Sequence, residues 1–483
     1  MIALGTLGRL YRIDGPPFGY HWCRQYDTAA IARNFAEGAM NPLYPQIDWR
    51  GDSPGYVESE FPAYTYLVAL LYRTFGIHEW LGRALNIVFY ALSALLLFRL
   101  ARLLLDEWTA AAAVFFYSVA PLSVYFTRSL QPDALMCLAS LAGLYFFARW
   151  TEGRRLRDLV LSGLGVTLAI LIKPFTVYLA LPLGYLAWRK WGWRLFAQKT
   201  LWAYAAAVLA GPLLWYLHAF SLWETYGNTL FRGYARLDVP ALTDPFWPSF
   251  LRVLLLRVAT LITTPAGLVF LVAGLAAGAP GGNRVLYWWA AGFGLSVLFF
   301  NEANSDHEYY QLPIVFAASI WMAQGARTLV ERRWLSRWTV AALCLCAVGL
   351  SAWRLRDWYT IEPPERDAVR FGKRVADLTE PAALVAFVEL GDDPRRGEWF
   401  QYRFAPGEYL MYIPLQLYLS HRKGWSLGGV SVELIEKLRE RGARYLATPY
   451  PEMISADPAL VAWLESRYTV VEKTPRWAIY RLR

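Results

Sequence analysis

Residues 79–150 read EWLGRALNIVFYALSALLLFRLARLLLDEWTAAAAVFFYSVAPLSVYFTRSLQPDALMCLASLAGLYFFARW. Three apolar runs stand in it, Glu79 to Leu105, Trp108 to Tyr125 and Asp133 to Phe147. A membrane span needs about 20 mostly apolar residues, so the stretch predicts three consecutive crossings whose two turns face opposite sides. The first turn carries Arg99 and Arg102, and the second carries Arg128, Pro132 and Asp133. Basic residues mark a cytoplasmic turn, whereas a carboxylate at the mouth of a span is costly and usually functional.

Outward from that stretch the pattern repeats. Further spans are expected near Leu159 to Ile172, Phe175 to Trp188, Leu201 to Leu217, Thr264 to Ala279, Val285 to Phe300, Tyr310 to Ala326 and Trp338 to Trp353. With 56% hydrophobic, 16% aromatic and 18% charged residues, the 483-residue chain reads as a polytopic α-helical membrane protein of about 10–11 spans. The net charge of +10 comes from short basic clusters between spans, which set orientation and argue against a nucleic-acid partner. Fifteen Arg or Lys residues fall on loops of one side and six on the longer loops of the other, namely Arg128, Lys173 and, between Leu217 and Thr264, Arg232, Arg236, Arg252 and Arg257. This bias turns the loop at about 14–78 and the tail after Arg354 outward. The start, MIALGTLGRLYRID, offers only a short apolar run. An outward start needs a preceding span or a cleaved signal, so a longer reading frame with a first helix is expected. Of the four cysteines, Cys137, Cys344 and Cys346 lie in apolar runs and Cys23 stands in a loop; they form neither a disulfide framework nor a zinc pattern.

Two domains are expected, 1–354 in the membrane and 355–483 outside it. In the tail AALVAFVEL reads as a buried strand, SVELIEKLRERGARYLATPY as a helix then a strand, and LVAWLESRYTVVEKTPRWAIYRLR as a helix leading into two strands. This is an α/β pattern, entered through Pro363 and Pro364, which stop the last span. The tail segment YLSHRKGWSLGG holds His421, Arg422 and Lys423, either a solvated loop or a contact for an acceptor or lipid head group.

The outward loops concentrate the residues with chemistry. Asp27 opens an apparent helix, DTAAIARNFAEG, where a carboxylate serves equally as a cap or as a base. Glu58 and Glu60 precede Pro62 and an apolar, aromatic helix that suits the bilayer surface, and they serve equally as cap or first-turn carboxylates of that helix or as site residues. Asp48, Arg50 and Asp52 read as turn residues around Gly51 and Gly55. Arg128 suits an interface anchor or a phosphate, and Asp133 after Pro132 suits a cap or a site. Lys173 before Pro174 is a snorkelling lysine or a buried cation. Asp306, His307, Glu308, Tyr309, Tyr310 and Gln311 crowd the mouth of a span, where a belt alone would use the tyrosines without the histidine. Two cations beside three carboxylates suit a site that grips a phosphate and activates a hydroxyl. No GxSxG elbow, HExxH, CxxC or Walker loop occurs. A divalent metal on Asp27, Glu60 or His307 is conceivable, with ligands too scattered to identify an ion.

The runs RQYDTAAIARNF, NPLYPQIDWRGDSPGYVESEFPAYTYLVALLY, TRSLQPDAL, IKPF and HEYYQLP, in this order and on one side, resemble the C-type-fold membrane glycosyltransferases of the protein O-mannosyltransferase and lipid A aminoarabinose transferase superfamily. The resemblance implies an inverting transferase of the cell envelope. Such an enzyme moves a sugar from a polyprenyl-phosphate donor to a glycan, lipid or protein acceptor at the outer face of the cytoplasmic membrane. By the same resemblance Asp27 is the first-loop base and Glu60 the later first-loop carboxylate; Arg128, Asp133, Lys173, His307, Tyr310 and Glu58, read from the loops themselves, are expected to bind substrate. In the aminoarabinose transferases a lysine follows that glutamate, but Phe61 stands here, so Arg128 and Lys173 are expected to hold the phosphate. The mannosyltransferase motif is Asp-Glu, and Asp27-Thr28 lacks its second acid. The rival class is a transporter or flippase of a lipid-linked or anionic substrate. It would place charges near the midplane in repeated halves, which this chain does not show.

Overall fold

The computed structural model describes residues 1–230, 244, 246–361, 363–389 and 413–482. Arg232 and Arg236, two of the cations counted on the outward loops, lie outside the described residues. Helix α1 (Ile2–Arg9) is followed by α2 (Trp22–Glu37) and α3 (Ala63–Phe75) in the first long loop. Then come α4 (Glu79–Arg102), α5 (Glu107–Val119), α6 (Pro121–Phe126), α7 (Asp133–Gly153), α8 (Leu156–Ile172), α9 (Ala180–Trp191) and α10 (Lys199–Tyr226). The second half holds α11 (Phe246–Arg257), α12 (Pro265–Ala276), α13 (Val285–Phe299), α14 (Asn301–Asp306), α15 (Ile314–Glu331) and α16 (Arg337–Leu355).

Each of the ten expected apolar segments is largely helical, but they do not form ten uninterrupted spans. Among the described residues α4, α7, α10 and the run Arg337–Tyr359 are long and apolar enough to cross a membrane. A fifth arises if Phe246–Ile262 and Pro265–Ala276, bent by 103°, count as one. Of the others, α15 is continuous over 18 residues but less apolar, and several more are broken or short. Pro121 separates α5 from α6, Pro174 opens a 3-10 stretch before α9, and α13 has only 15 residues. Irregular backbone of this kind is tolerated in lipid where neighbouring helices cover it.

Residues 246–262, taken from sequence as outward loop, are instead α11 and a π turn, Val258–Ile262. Arg252 and Arg257 hide an otherwise apolar run, and Arg257 is buried on a carboxylate supplied by another segment. Helices α12 and α15 meet backbone to backbone. A Cβ on Gly274 would collide with the Trp321 carbonyl, and one on Gly325 with the Phe270 carbonyl, the close approach that small residues permit between membrane helices.

The tail opens with α17 (Pro363–Leu378) and builds one five-stranded sheet in the order β2-β1-β3-β5-β4. Its strands are β1 (Leu384–Val388), β2 (Lys423–Leu427), β3 (Ala443–Thr448), β4 (Thr469–Lys473) and β5 (Ala478–Arg481). Strand β1 runs parallel to β2 and β3, while β5 is antiparallel to β3 and β4. Helices α18 (Leu415–Leu419), α19 (Val432–Glu440), α20 (Glu452–Ser455) and α21 (Pro458–Arg467) complete it. The strand and helix order read from the sequence appears as expected, with β2 added in a segment taken for a loop.

Alternation along β1 and β3 gives the sheet two apolar faces. One, with Ala386, Val388 and Leu446, packs under Leu434, Leu438, Leu460 and Leu464 of α19 and α21. The other, with Val385, Phe387, Tyr445 and Ile479, shares a core with Ile31, Phe35, Ile47, Trp49 and Val57 of the first loop. The sheet therefore rests on α2 and the segment that follows it.

A buried ionic hub lies at this seam. Asp48, read from sequence as a turn residue, has no exposed surface. It accepts from Arg33 Nη2 at 2.5 Å and Asn34 Nδ2 at 3.0 Å, and pairs with Lys423 of β2. Gly51 N donates to Gly424 O at 2.7 Å and Gly424 N to Asp48 O at 3.2 Å. Arg422 is likewise spoken for, donating to Thr379 Oγ1 at 2.9 Å and to the Ala376 carbonyl at 2.8 Å. Arg422 and Lys423 are thus internal ties of the fold rather than contacts for an acceptor, while His421 reaches Glu37 at 2.8 Å. Removing one partner of a buried pair strands the others. Asp48→Ala is expected to cost about 3–5 kcal/mol, seen as a lower melting temperature of the purified protein; an unchanged melt would remove the hub from the stability of this seam.

Candidate active site

Helix α2 starts at Trp22, five residues before Asp27, so Asp27 lies inside the helix and is no cap. Its buried carboxylate accepts the Trp49 indole N–H at 2.8 Å. Burial pushes Asp27 up to about 7, against the Trp49 hydrogen bond and the charge of Arg24. Arg24 precedes Asp27 by three residues, hence on one face of α2. It forms an ion pair with Glu60 Oε1, while Glu60 Oε2 is buried with no hydrogen-bond partner. Arg24, Thr28, Ser59, Glu60, Thr65 and Pro132 line a small crevice between α2 and the start of α7.

Asp133 begins α7, as the sequence predicts, but it does not cap it. Its side chain makes no capping bond, is fully buried, and neither oxygen has a hydrogen-bond partner. The charges acting on it are Lys173, Arg24 and His21. Lys173 terminates α8, where Pro174 ends the regular ladder. Only 2% exposed, it makes no salt bridge among the described residues. Its ammonium lies 5.0 Å from the Tyr310 ring centroid and 5.5 Å from that of Tyr309, a cation–π setting that leaves its N–H donors available.

The residues at 306–310 close the group. The His307 ring is 5.1 Å from that of His21 and 5.2 Å from that of Tyr309. Enclosure by these neighbours, then the charge of His21, holds His307 well below the usual imidazole range and therefore neutral. His21 adopts a left-handed backbone (φ 55°) and sets Nε2 2.7 Å from Glu308 Oε2. Glu308 also accepts from Tyr20 at 2.5 Å and from Arg257 at 3.0 Å. Burial alone would raise its pKa; the hydrogen bond and charge of His21, with Arg257, outweigh that and hold it down at about 2. Asp306 is pushed up to about 7 by burial and by Glu302.

Asp27, Glu60, Asp133, Lys173, His307 and Tyr310 are therefore linked through Arg24 and the 306–310 segment. Two of the expected substrate contacts are not. Arg128 turns away, donating to Arg12 O at 3.0 Å and lying 5.0 Å from the Tyr359 ring centroid. Glu58 accepts from the Thr229 hydroxyl and bridges to Thr229 along the backbone. Three members escaped the sequence reading. Arg24 was within reach, because Arg24 and Asp27 share a face once the helix is begun before Asp27; His21 and Arg257 carry no local signal. Among the described residues no group of three His, Cys, Asp or Glu residues could hold a metal ion. The candidate ligands Asp27, Glu60 and His307 instead face Trp49, Arg24 and His21 respectively, and as a set they do not fit a divalent ion.

Arg24 and Glu60 neutralise each other largely out of water, so each single replacement strands a buried charge. Arg24→Met and Glu60→Met are each expected to lower thermal stability, and the double variant to recover most of the loss. Strictly additive losses would show that the pair is not coupled.

Residues 54–216 match the sequence model of the dolichyl-phosphate-mannose-protein mannosyltransferase family. No curated protein sequence matches the chain. Among solved structures it is similar to ArnT from Cupriavidus metallidurans bound to undecaprenyl phosphate, at 14% identity and TM-score 0.64, covering 100% of this chain and 97% of that one. The arabinofuranosyltransferase AftD from Mycobacteria follows at 16% identity and TM-score 0.60, covering 100% and 39%. The Archaeoglobus fulgidus oligosaccharyltransferase in complex with Zn and sulfate gives 13% identity and TM-score 0.57, covering 97% and 71%. Likeness at this identity establishes a fold, and it is the fold to which the loop motifs pointed.

Proposed function

We propose that this chain, which has the C-type membrane glycosyltransferase fold, transfers a hexosyl or pentosyl group with inversion from a polyprenyl-phosphate donor to a hydroxyl of a glycan, lipid or protein. The reaction takes place at the outer face of the cytoplasmic membrane, the side opposite the basic loops. The observation that carries this reading is Lys173, a buried ammonium with no salt bridge among the described residues, set beside Arg24 and the unpartnered carboxylate of Asp133. A resident cation in an apolar protein calls for an anion, and a lipid phosphate is the one a membrane enzyme of this fold would take.

The donor phosphate meets Lys173 and Arg24, and the acceptor hydroxyl meets Asp27. The hydroxyl oxygen attacks the anomeric carbon on the face opposite the phosphate, and Asp27 takes its proton. The bond from the anomeric carbon to the phosphate oxygen breaks, and its electron pair leaves with polyprenyl phosphate. Lys173 and Arg24 balance the charge that develops on that oxygen. Phosphate departs without protonation, so no general acid is required. Asp27 is suited to the proton because burial matches its basicity to neutral pH, and the Trp49 hydrogen bond fixes one oxygen and leaves the other for the acceptor. Arg24 occupies the role of the lysine that Phe61 replaces, since its guanidinium already rests on Glu60.

Turnover is measured as free polyprenyl phosphate released from radiolabelled polyprenyl-phosphate mannose, arabinofuranose or aminoarabinose. Asp27→Asn is expected to fold and to lose about 100-fold or more in rate; full turnover in that variant would dispose of the assignment. A base works only when deprotonated, so the rate should rise with pH through about 7, the value to which burial raises Asp27, and fall off below it. Lys173→Met is expected to weaken retention of undecaprenyl phosphate in native mass spectrometry, and unchanged retention would place the phosphate elsewhere. A carrier would move the labelled lipid without releasing polyprenyl phosphate.

A further inference from the structure

The hub at Asp48 does more than tie the tail sheet to the first loop, because its neighbour in the chain is Trp49. Asp27, Ile31 and Asn34 form one stripe of α2, at spacings of four and three residues. The segment 46–49 lies along it. Asn34 Nδ2 donates to Gln46 O at 2.8 Å and to Asp48 Oδ1 at 3.0 Å, and Trp49 Nε1 donates to Asp27 Oδ1 at 2.8 Å. Lys423, in β2 of the tail, closes this arrangement from the other side: its ammonium bonds both Asp48 Oδ1 and Asn34 Oδ1. Backbone bonds from Gly51 to Gly424 and from Gly424 to Asp48 keep the two strips in register. A Cβ at Gly424 would strike the Val385 carbonyl, so the register admits little slack.

We propose that Lys423 is a positioning residue for Asp27: by clamping Asp48 and Asn34 it holds the Trp49 indole on the Asp27 carboxylate, so the tail domain sets the geometry of the catalytic base. This rests on the reading of Asp27 as the base. Lys423 touches neither Asp27 nor the Arg24–Glu60 pair, and it acts only through the strip 48–49. Arg441, which pairs with Asp52 at 2.6 Å, ties the same loop to the tail without reaching Trp49.

The test uses the full chain labelled with 5-fluorotryptophan, the Trp49 resonance being identified by its loss in Trp49→Phe. Lys423→Gln keeps a hydrogen-bond donor at Asp48 while Arg33 still balances the charge. It is expected to shift the Trp49 resonance in the direction seen in Asp27→Asn. Turnover should fall about tenfold, the order of loss when a reacting group is misplaced by a fraction of an ångström, with the donor KM unchanged. Lys423→Arg should restore part of both, and Arg441→Ala should leave the Trp49 resonance in place. If Lys423→Gln does not yield folded protein, Asn34→Ala loosens the same clamp from the helix side and carries the same expectation. A Trp49 resonance unmoved by these variants, or moved equally by Arg441→Ala, overturns the proposal. Full turnover in Asp27→Asn would instead overturn the transferase reading, and the resonance would still report whether Lys423 and Trp49 are coupled.

Discussion

A carboxylate with no exposed surface stays ionised only if cations or hydrogen-bond donors surround it, and Asp48 meets that condition with Arg33 and Asn34 from α2 and Lys423 from β2. Burial works against its charge, and the two cations together more than offset this, leaving its carboxyl below the ordinary range. Because its partners come from one helix and one strand far apart in the chain, satisfying this one group brings the first loop and the tail sheet together. The apolar seam of Ile31, Phe35, Trp49, Val385 and Phe387 supplies the area, but apolar contact is non-directional. The ion pairs and the bonds at Gly424 supply the register.

The same constraint, charge held out of water, shapes the candidate site in two contrasting ways. Glu308 is fully engaged by Tyr20, His21 and Arg257 and behaves as a fixed anion that organises its neighbours. Asp133 and Lys173 are buried with partners incompletely supplied by the protein itself. Native structures seldom leave such groups unsatisfied, and in the proposed reaction the donor phosphate is what Lys173 engages. Asp27 is intermediate, with one oxygen fixed by Trp49 and its basicity raised by burial. The site thus combines one fully engaged anion, one carboxylate whose pKa burial raises, and two incompletely engaged charges.

The helical and sheet elements were largely legible from periodicity. Spans, turns and the tail's strand order are local patterns, and apolar runs of this length have few alternatives in the presence of lipid. The readings that failed involved charges with distant partners. Arg257 made α11 read as a loop because the Glu308 that neutralises it lies about fifty positions further on. Asp48 read as a turn residue because Lys423 stands nearly four hundred positions away. Arg128 and Asp133 share one short turn, and nothing local shows that one faces Tyr359 and the other Lys173.

What this chain's sequence determined on its own is the class: a bundle of apolar helices, a tail of alternating strands and helices, and a set of acids, cations and one histidine in the loops expected on a single side. Each follows from spacing along the chain, where neighbouring residues constrain one another directly. Which of those residues share a pocket was decided only by the tertiary structure. Buried charges must find opposite charges wherever the fold presents them, and it is this three-dimensional matching that recruited Arg24 and His21, released Arg128, and set Trp49 against Asp27.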